Sequence, residues 1–197
     1  MDQLLIDSTS TGDPARHRSF TDLEQRLHAI APAPTARGRV ALIICRGPRG
    51  ARQTPPRVTL SIGTGIPGDA WGRNPQRTDV AELAVMQHDV AQLIANGQPL
   101  VLSGDNLILD LDLSSQNLPT ATRLRVGRAL LQVTPKPHNG CAKFKARFGH
   151  GALQFVSTPT LRHRNLRGIY LRVVEEGEVA VGDEVEVISR AERRNPS

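Results

Sequence analysis

Apolar and polar positions alternate along several short segments of the chain, which predicts a protein built mainly from β-strands. The segments with the clearest alternation are residues 57–62, 123–133, 168–174 and 179–187. A period of two is typical of strands with one buried and one exposed face. Because glycines separate many of these segments, we expect a β-barrel or sandwich with a few short helices, rather than a doubly wound sheet.

Two other segments carry apolar residues at helical spacing. Residues 20–30 predict a helix capped by Thr21 or Asp22, and residues 87–96 predict a helix that ends at Gly97. A stretch rich in proline and alanine follows the first helix. The predicted organisation is a partly helical N-terminal appendage at 1–37, a barrel domain at 38–189 and a disordered basic tail at 190–197.

Composition narrows the functional classes. The chain has 197 residues, which suits one domain, and it contains no apolar run near the ~20 residues that span a bilayer. Its N-terminus lacks the features of a secretory signal, so we expect a cytoplasmic protein without membrane contact. The net charge of +6 is compatible with anionic ligands, but only 3% of the residues are aromatic. Nucleic acid is therefore an unlikely partner, since base stacking needs aromatic side chains.

Cys141 is the strongest candidate for chemistry. It follows a turn that contains His138 and Gly140, and it precedes a short amphipathic stretch with three cations, including Lys143 and Arg147. Nearby positive charge favours the thiolate, which is both a nucleophile and a soft metal ligand. The simpler alternative is a buried structural thiol. Cys45 ends an apolar strand and is expected to be a buried, reduced cysteine.

His138 has several possible roles. It lies three residues before Cys141, where it is either a base that assists the thiol or an ordinary turn residue. A zinc site with Cys141, His150 and a fourth ligand such as His163 is also possible, although structural zinc sites usually have tightly spaced pairs of ligands.

Two further loops place polar residues beside glycine. One contains Gly68 and Asp69, and the other contains Gly104, Asp105 and Asn106. Glycine allows a backbone to approach a ligand closely, so we expect these loops to meet the Cys141 segment at one rim of the barrel. The alternative for the aspartates and the asparagine is that they only satisfy the backbone of a turn.

The order of these phrases resembles the MOSC domain family, the C-terminal domain of molybdenum cofactor sulfurases. The resemblance runs from about residue 39 to 188. Its phrases are Gly68-Asp69, Gly104-Asp105-Asn106, Cys141, the segment 167–174 that begins Arg-Gly, and Gly182-Asp183. It implies a β-barrel whose key cysteine binds molybdenum cofactor (molybdopterin) or carries sulfur. Some family members reduce N-hydroxylated compounds, and a family-level link to pyridoxal phosphate binding also exists.

The resemblance also implies roles for individual residues. Cys141 matches the cysteine that ligates molybdenum or bears sulfur, and His138 is taken with it as the catalytic pair. The residues expected to bind the cofactor are Gly104, Asp105, Asn106, Lys143, Arg147, Arg167 and Asp69. Asp105 stands where the family has a glutamate, which shortens the reach of the carboxylate. Arginine and lysine suit the phosphate of the cofactor as charged donors.

The functional expectation is a MOSC-domain protein that binds molybdenum cofactor through one cysteine. It would act as a small oxidoreductase or as a handler of cofactor or sulfur. Its substrate would be a small molecule or a sulfur donor, with a cysteine desulfurase or a redox protein as partner. The alternatives are a metal-free carrier with a persulfide on Cys141, and a barrel that binds anions or nucleic acid and has a structural cysteine.

Overall fold

The protein folds into a closed barrel of seven strands with a layer of helices on one side. This computed structural model describes residues 12–190. The barrel strands are β1 (Arg37–Ile43), β5 (Leu83–Gln87), β6 (Leu107–Asp110), β7 (Arg123–Val126), β8 (Ala129–Pro137), β9 (Ile169–Glu175) and β11 (Glu184–Ser189). Their order around the barrel is β1-β11-β7-β8-β9-β5-β6. The pair β5 and β6 is parallel and the other barrel pairs are antiparallel. The prediction of a β-barrel with a few helices is thus confirmed.

Two small antiparallel sheets stand beside the barrel. One consists of β2 (Cys45–Arg46) and β3 (Arg52–Gln53), and the other of β4 (Arg57–Leu60) and β10 (Gly177–Ala180). The β2–β3 hairpin carries the basic residues Arg46 and Arg52 beyond the end of β1.

The helices are α1 (Phe20–Ala29), α2 (His88–Ala95) and α3 (Ala142–Ser157). The helix α3 is interrupted at Gly149, whose φ of 88° and ψ of 171° are not helical. The predicted cap of α1 is wrong: Ser19 is the N-cap, and its hydroxyl accepts a hydrogen bond from the Asp22 amide. Ser19 holds the extended backbone that a cap needs, whereas Thr21 and Asp22 already lie within the first turn.

Strand β5 begins later than the pattern indicated. The apolar run at 80–86 by itself predicts a strand, but Asp79–Ala81 forms a turn of 3-10 helix and the strand starts at Leu83. A short apolar run does not by itself distinguish a tight helical turn from an extended segment.

The chain has two apolar cores, on the inside and the outside of the barrel. Leu107 and Leu109 of β6 point into the barrel, whereas Ile108 between them points outward to the helices. Val85 and Met86 of β5 divide in the same way. Burial on both faces explains why these strands are continuously apolar rather than alternating.

The outer core contains the helix that the sequence assigned to an appendage. Leu23 and Leu27 of α1 are buried there with Phe144 and Phe148 of α3. The loop after β11 is also tied to the domain, because the Arg190 guanidinium donates to the backbone of Asn117 and Thr35. The rest of the predicted tail, 191–197, and residues 1–11 lie outside the described residues. No helix within residues 12–190 is long and apolar enough to cross a membrane.

Candidate functional site

A cavity of about 850 Å³ opens where the β2–β3 hairpin, the loop before β6, the end of β8 and the start of α3 converge. Its polar and reactive lining residues are Arg46, Arg49, Arg52, Ser103, His138, Asn139, Cys141, Lys143, Arg147, Arg167 and Tyr170. Six of these are cationic, and among the described lining residues none is a carboxylate. The cavity therefore favours a negatively charged ligand.

Cys141 supplies a thiol to the cavity wall. It is exposed and unpaired, and it occupies the N-cap position of α3 with an extended backbone, φ −134° and ψ 174°. The turn before it and the helix after it fix its place, since its carbonyl accepts the first bond of the helix from the Lys145 amide. The sulfur is thus accessible to a ligand in the cavity.

Arg52 and Arg147 converge on the backbone of Gly104. A Cβ at Gly104, whose φ is +76°, would lie 3.4 Å from a terminal nitrogen of each guanidinium. Arg52 is only 5% exposed, and its Nη1 has no hydrogen-bond partner among the described residues. Burial, together with Arg147 and Arg46, lowers the pKa of Arg52 to about 10, so it remains charged at neutral pH. One buried N–H donor of this arginine is thus left without an acceptor among the described residues, which is costly.

Arg167 is fixed by a buried carboxylate. Nη1 of Arg167 donates to both oxygens of Asp105, at 2.8 and 2.9 Å, and Asp105 is fully buried. The guanidinium carbon also lies 4.9 Å from the centre of the Phe144 ring, in a cation–π contact. Asp105 thus positions Arg167 from behind the cavity wall. Although aspartate is shorter than the glutamate of the family, its carboxylate reaches the guanidinium.

Arg46 is held in a similar way by Asp69 and Asn106. Its guanidinium donates to both carboxylate oxygens of Asp69 and to Oδ1 of Asn106. Burial alone would raise the pKa of Asp69, but Arg46 and the amides of Trp71 and Arg46 together lower it. Asn106 also accepts from the Ala84 amide and donates to the Ile44 carbonyl, which ties three segments of chain together.

His138 faces the cavity as a neutral base. Its ring lies against Tyr170 with 4.4 Å between the ring centres, and its Nδ1 is 3.6 Å from the nearer Asp105 oxygen. Burial lowers the pKa of His138 to about 3, and the charge of Arg167 acts in the same direction against a weaker opposing effect of Asp105. At neutral pH this imidazole is therefore uncharged and only weakly basic.

The structure brings most of the candidate residues together, although not all in the same position. Those that line the cavity are Gly104, His138, Cys141, Lys143, Arg147 and Arg167. Asp69, Asp105 and Asn106 lie behind its wall, buried and hydrogen-bonded to the arginines. Their hydrogen bonds go to arginine side chains and to backbone groups, as expected of residues that position the arginines of the cavity. Lys145, another cation of the Cys141 segment, is exposed and does not line the cavity.

Sequence reasoning missed Arg46, Arg52 and Tyr170. Arg46 directly precedes the glycine- and proline-rich loop at 47–56 and Arg52 lies within it, and the basic character of this loop was the available signal. Tyr170 lies in a predicted strand, and nothing in the sequence distinguishes it from an ordinary strand residue. The zinc interpretation gains no support, since within residues 12–190 no three His, Cys, Asp or Glu side chains are grouped to hold a metal ion.

The fold and cavity define a class: a mixed β-barrel with an exposed thiol among arginines. The MOSC domain model matches residues 79–186, more than half of the chain, so the protein belongs to the MOSC domain family. Solved structures agree on the fold. YiiM from Escherichia coli superposes with a TM-score of 0.54 at 21% identity, covering 78% of this chain and 71% of that one.

Two further structures show the same fold. The YUAD protein from Bacillus subtilis has a TM-score of 0.53 at 18% identity and covers 77% of this chain and 95% of its own. A structure described as a hypothetical protein reaches a TM-score of 0.60 at 21% identity, covering 81% and 71%. The comparison with curated proteins gave no match.

Proposed function

We propose that this protein binds molybdenum cofactor in the cavity through Cys141, and that it acts as a small oxidoreductase or as a handler of cofactor or sulfur. The observation that carries the proposal is the accessible Cys141 thiol on the wall of a cavity with six cations. A thiolate is a ligand for soft metals, and arginine is a strong donor to phosphate. Cofactor association is also a family property of the MOSC domain.

The residues present fit this group. The cavity, at about 850 Å³, lies within the range of small-molecule sites, roughly 300–1,000 Å³. Arg52 and Arg147 would hold the phosphate, because a terminal nitrogen of each guanidinium lies beside Gly104 on the cavity wall. Cys141 would supply the sulfur ligand.

The bound cofactor would contribute metal-centred redox chemistry or a transferable sulfur. The chain's own residues bind and orient. Arg167 and Arg46, held by buried carboxylates, present fixed positive charge to the bound group. His138 presents an uncharged, weakly basic imidazole that can hydrogen-bond to a group bound beside it.

Elemental analysis tests the proposal. Protein made in a host that synthesises the cofactor should contain about one molybdenum per chain, in keeping with a single thiolate ligand. Cys141→Ser should lose nearly all of it. Cys45→Ser is the matched control, because Cys45 does not line the cavity and burial raises the pKa of its thiol to about 11, so it stays protonated. Wild-type protein without molybdenum, or an unchanged content in Cys141→Ser, would contradict the proposal.

The second candidate is a metal-free sulfur carrier with a persulfide on Cys141. The exposure of Cys141 favours it, because a sulfur donor protein needs direct access to the thiol. In this case the wild type would contain no molybdenum. After incubation with a cysteine desulfurase, the intact mass of the wild type would rise by the mass of one sulfur atom. The same rise is expected in Cys45→Ser but not in Cys141→Ser.

A further inference from the structure

The backbone carbonyl of Arg147 is contacted by His17 of the N-terminal segment and by Gln98, which follows α2. The carbonyl oxygen of Arg147 lies 3.1 Å from Nε2 of His17 and 3.4 Å from Nε2 of Gln98. A carbonyl can only accept, so His17 carries its proton on Nε2 in this contact. Gln98 is in turn tied to the N-terminal segment, since its Oε1 accepts from the Asp13 amide at 2.7 Å.

The break in α3 makes this carbonyl available. Gly149 leaves the helical conformation two residues after Arg147, so the last carbonyls of the first half of the helix have no helical donor. The contacts from His17 and Gln98 supply that donor from outside the helix.

Three glycines allow the segment to approach this closely. A Cβ at Gly149 would lie 2.8 Å from the His17 ring, and one at Gly151 would lie 2.4 Å from the Arg18 carbonyl oxygen. A Cβ at Gly12 would overlap the Arg147 carbonyl oxygen at 1.6 Å. The fit between residues 12–18 and the break of α3 is therefore close on both sides.

Arg147 connects this close packing of the N-terminal segment to the cavity. Its backbone is held by the N-terminal segment, while Nη1 of its guanidinium donates to the Leu102 carbonyl at 3.1 Å and faces Gly104. A shift of the backbone at Arg147 would move its guanidinium away from Arg52. Charge-assisted hydrogen bonds are short, so such a shift would weaken the bond from Arg147 to a bound anion.

We propose that residues 12–17 form a strap that positions Arg147 for anion binding, with His17 as the positioning residue on its carbonyl oxygen. The inference rests on the proposed function, because Arg147 is the proposed phosphate ligand there. It assigns a role to part of the segment that the sequence left as an appendage.

The test is the binding of inorganic phosphate to the full chain, measured by calorimetry at low salt. Arg147→Ala should weaken binding by about ten-fold or more, as expected for a charged hydrogen bond. His17→Ala should weaken it by about three- to ten-fold, as expected for one neutral hydrogen bond. His17→Gln places an amide N–H near the position of Nε2 and should stay within about two-fold of the wild type.

Two controls separate positioning from a general loss of structure. His28→Ala makes the same chemical change on α1, where the side chain is exposed, and should leave phosphate binding unchanged. In the Arg147→Ala background, His17→Ala should have no further effect, because the residue it positions is gone. If His17→Ala does not fold, Gln98→Ala removes the second donor to the same carbonyl and is expected to weaken binding in the same way.

Several results would overturn the strap. These are equal weakening by His17→Ala in the wild type and in Arg147→Ala, and unchanged phosphate binding in a folded His17→Ala. A wild type that does not bind phosphate, or an Arg147→Ala variant that binds it as tightly as the wild type, would also overturn it. Molybdenum content is measured separately. A protein that binds phosphate through Arg147 but takes up no molybdenum would contradict the proposed function and leave the strap standing.

Discussion

Burial sets the charge of His138 more strongly than its acidic neighbour does. The side chain is 7% exposed and lies 3.6 Å from a carboxylate, a contact that would normally favour the imidazolium. Loss of water and the charges of Arg167 and Arg46 outweigh Asp105, and the pKa falls to about 3. His138, which the sequence left as either a base or a turn residue, is thus an uncharged and weakly basic imidazole in the fold.

This shift predicts how stability depends on pH. The folded-state pKa of His138 is below the ordinary value of 6.5, so between 6.5 and about 3 the unfolded chain binds a proton that the folded protein does not. The contribution of His138 to the free energy of unfolding is therefore fully present above this window and is lost as the pH falls through it. The free energy of unfolding should fall by roughly 1 kcal/mol per pH unit in the upper part of the window, where ordinary carboxylates, with pKa about 4, are still ionised.

Urea denaturation over this range checks the dependence. His138→Gln should remove most of the slope, whereas His150→Gln, which changes an exposed histidine, should keep it. A slope of the same size in His138→Gln would assign the pH dependence to another group.

At the scale of elements, the interruption of α3 joins the N-terminal segment to the cavity. The first half of the helix carries Lys143 and Arg147 along the cavity wall, and the second half packs Phe155 into the outer core. Gly149 separates the two halves in a backbone conformation that is almost confined to glycine.

Gly149→Ala should therefore destabilise the fold strongly. It adds backbone strain on the order of 1–3 kcal/mol, and its Cβ would also press on the His17 ring at 2.8 Å. Gly182→Ala is the matched control, because Gly182 has a similar φ of +91° and no atom of residues 12–190 lies within 4 Å of its Cβ position. We expect a larger loss of unfolding free energy for Gly149→Ala, measured by urea denaturation. Equal losses would show that the contact with His17 adds nothing.

At the scale of the whole molecule, the outer core joins α1 to the barrel. Leu23 is fully buried beside residues of α2 and α3, and no separate core supports α1 among the described residues. An element held only by a shared core should unfold together with it.

Leu23→Ala tests whether α1 and the barrel unfold together. Removal of a buried leucine should cost about 2–5 kcal/mol, and the whole transition should shift, whether it is followed by far-UV circular dichroism or by fluorescence of Trp71, the single tryptophan. Gln25→Ala, at an exposed position of the same helix, should have little effect. A variant in which the circular dichroism shifts while the Trp71 transition stays in place would show that α1 is separable from the barrel.

The sequence by itself determined the local elements and the segment that carries the candidate thiol. Alternation predicted the strands, because side-chain direction in a strand depends only on neighbouring residues. The turn before Cys141 and the cations after it marked the same segment that lines the cavity. The order of the glycine phrases led to the MOSC family, which the family model confirmed over residues 79–186.

Only the tertiary structure decided which side chains meet. Arg52, Gly104 and Arg147 are far apart in the chain, and strand register and the β2–β3 hairpin bring them together. The same packing turned Asp105 from an expected cofactor contact into a buried partner of Arg167, and placed His17 on the carbonyl of Arg147. Periodicity reports on contacts a few residues apart, whereas burial and charge pairing arise from segments that approach only when the barrel closes.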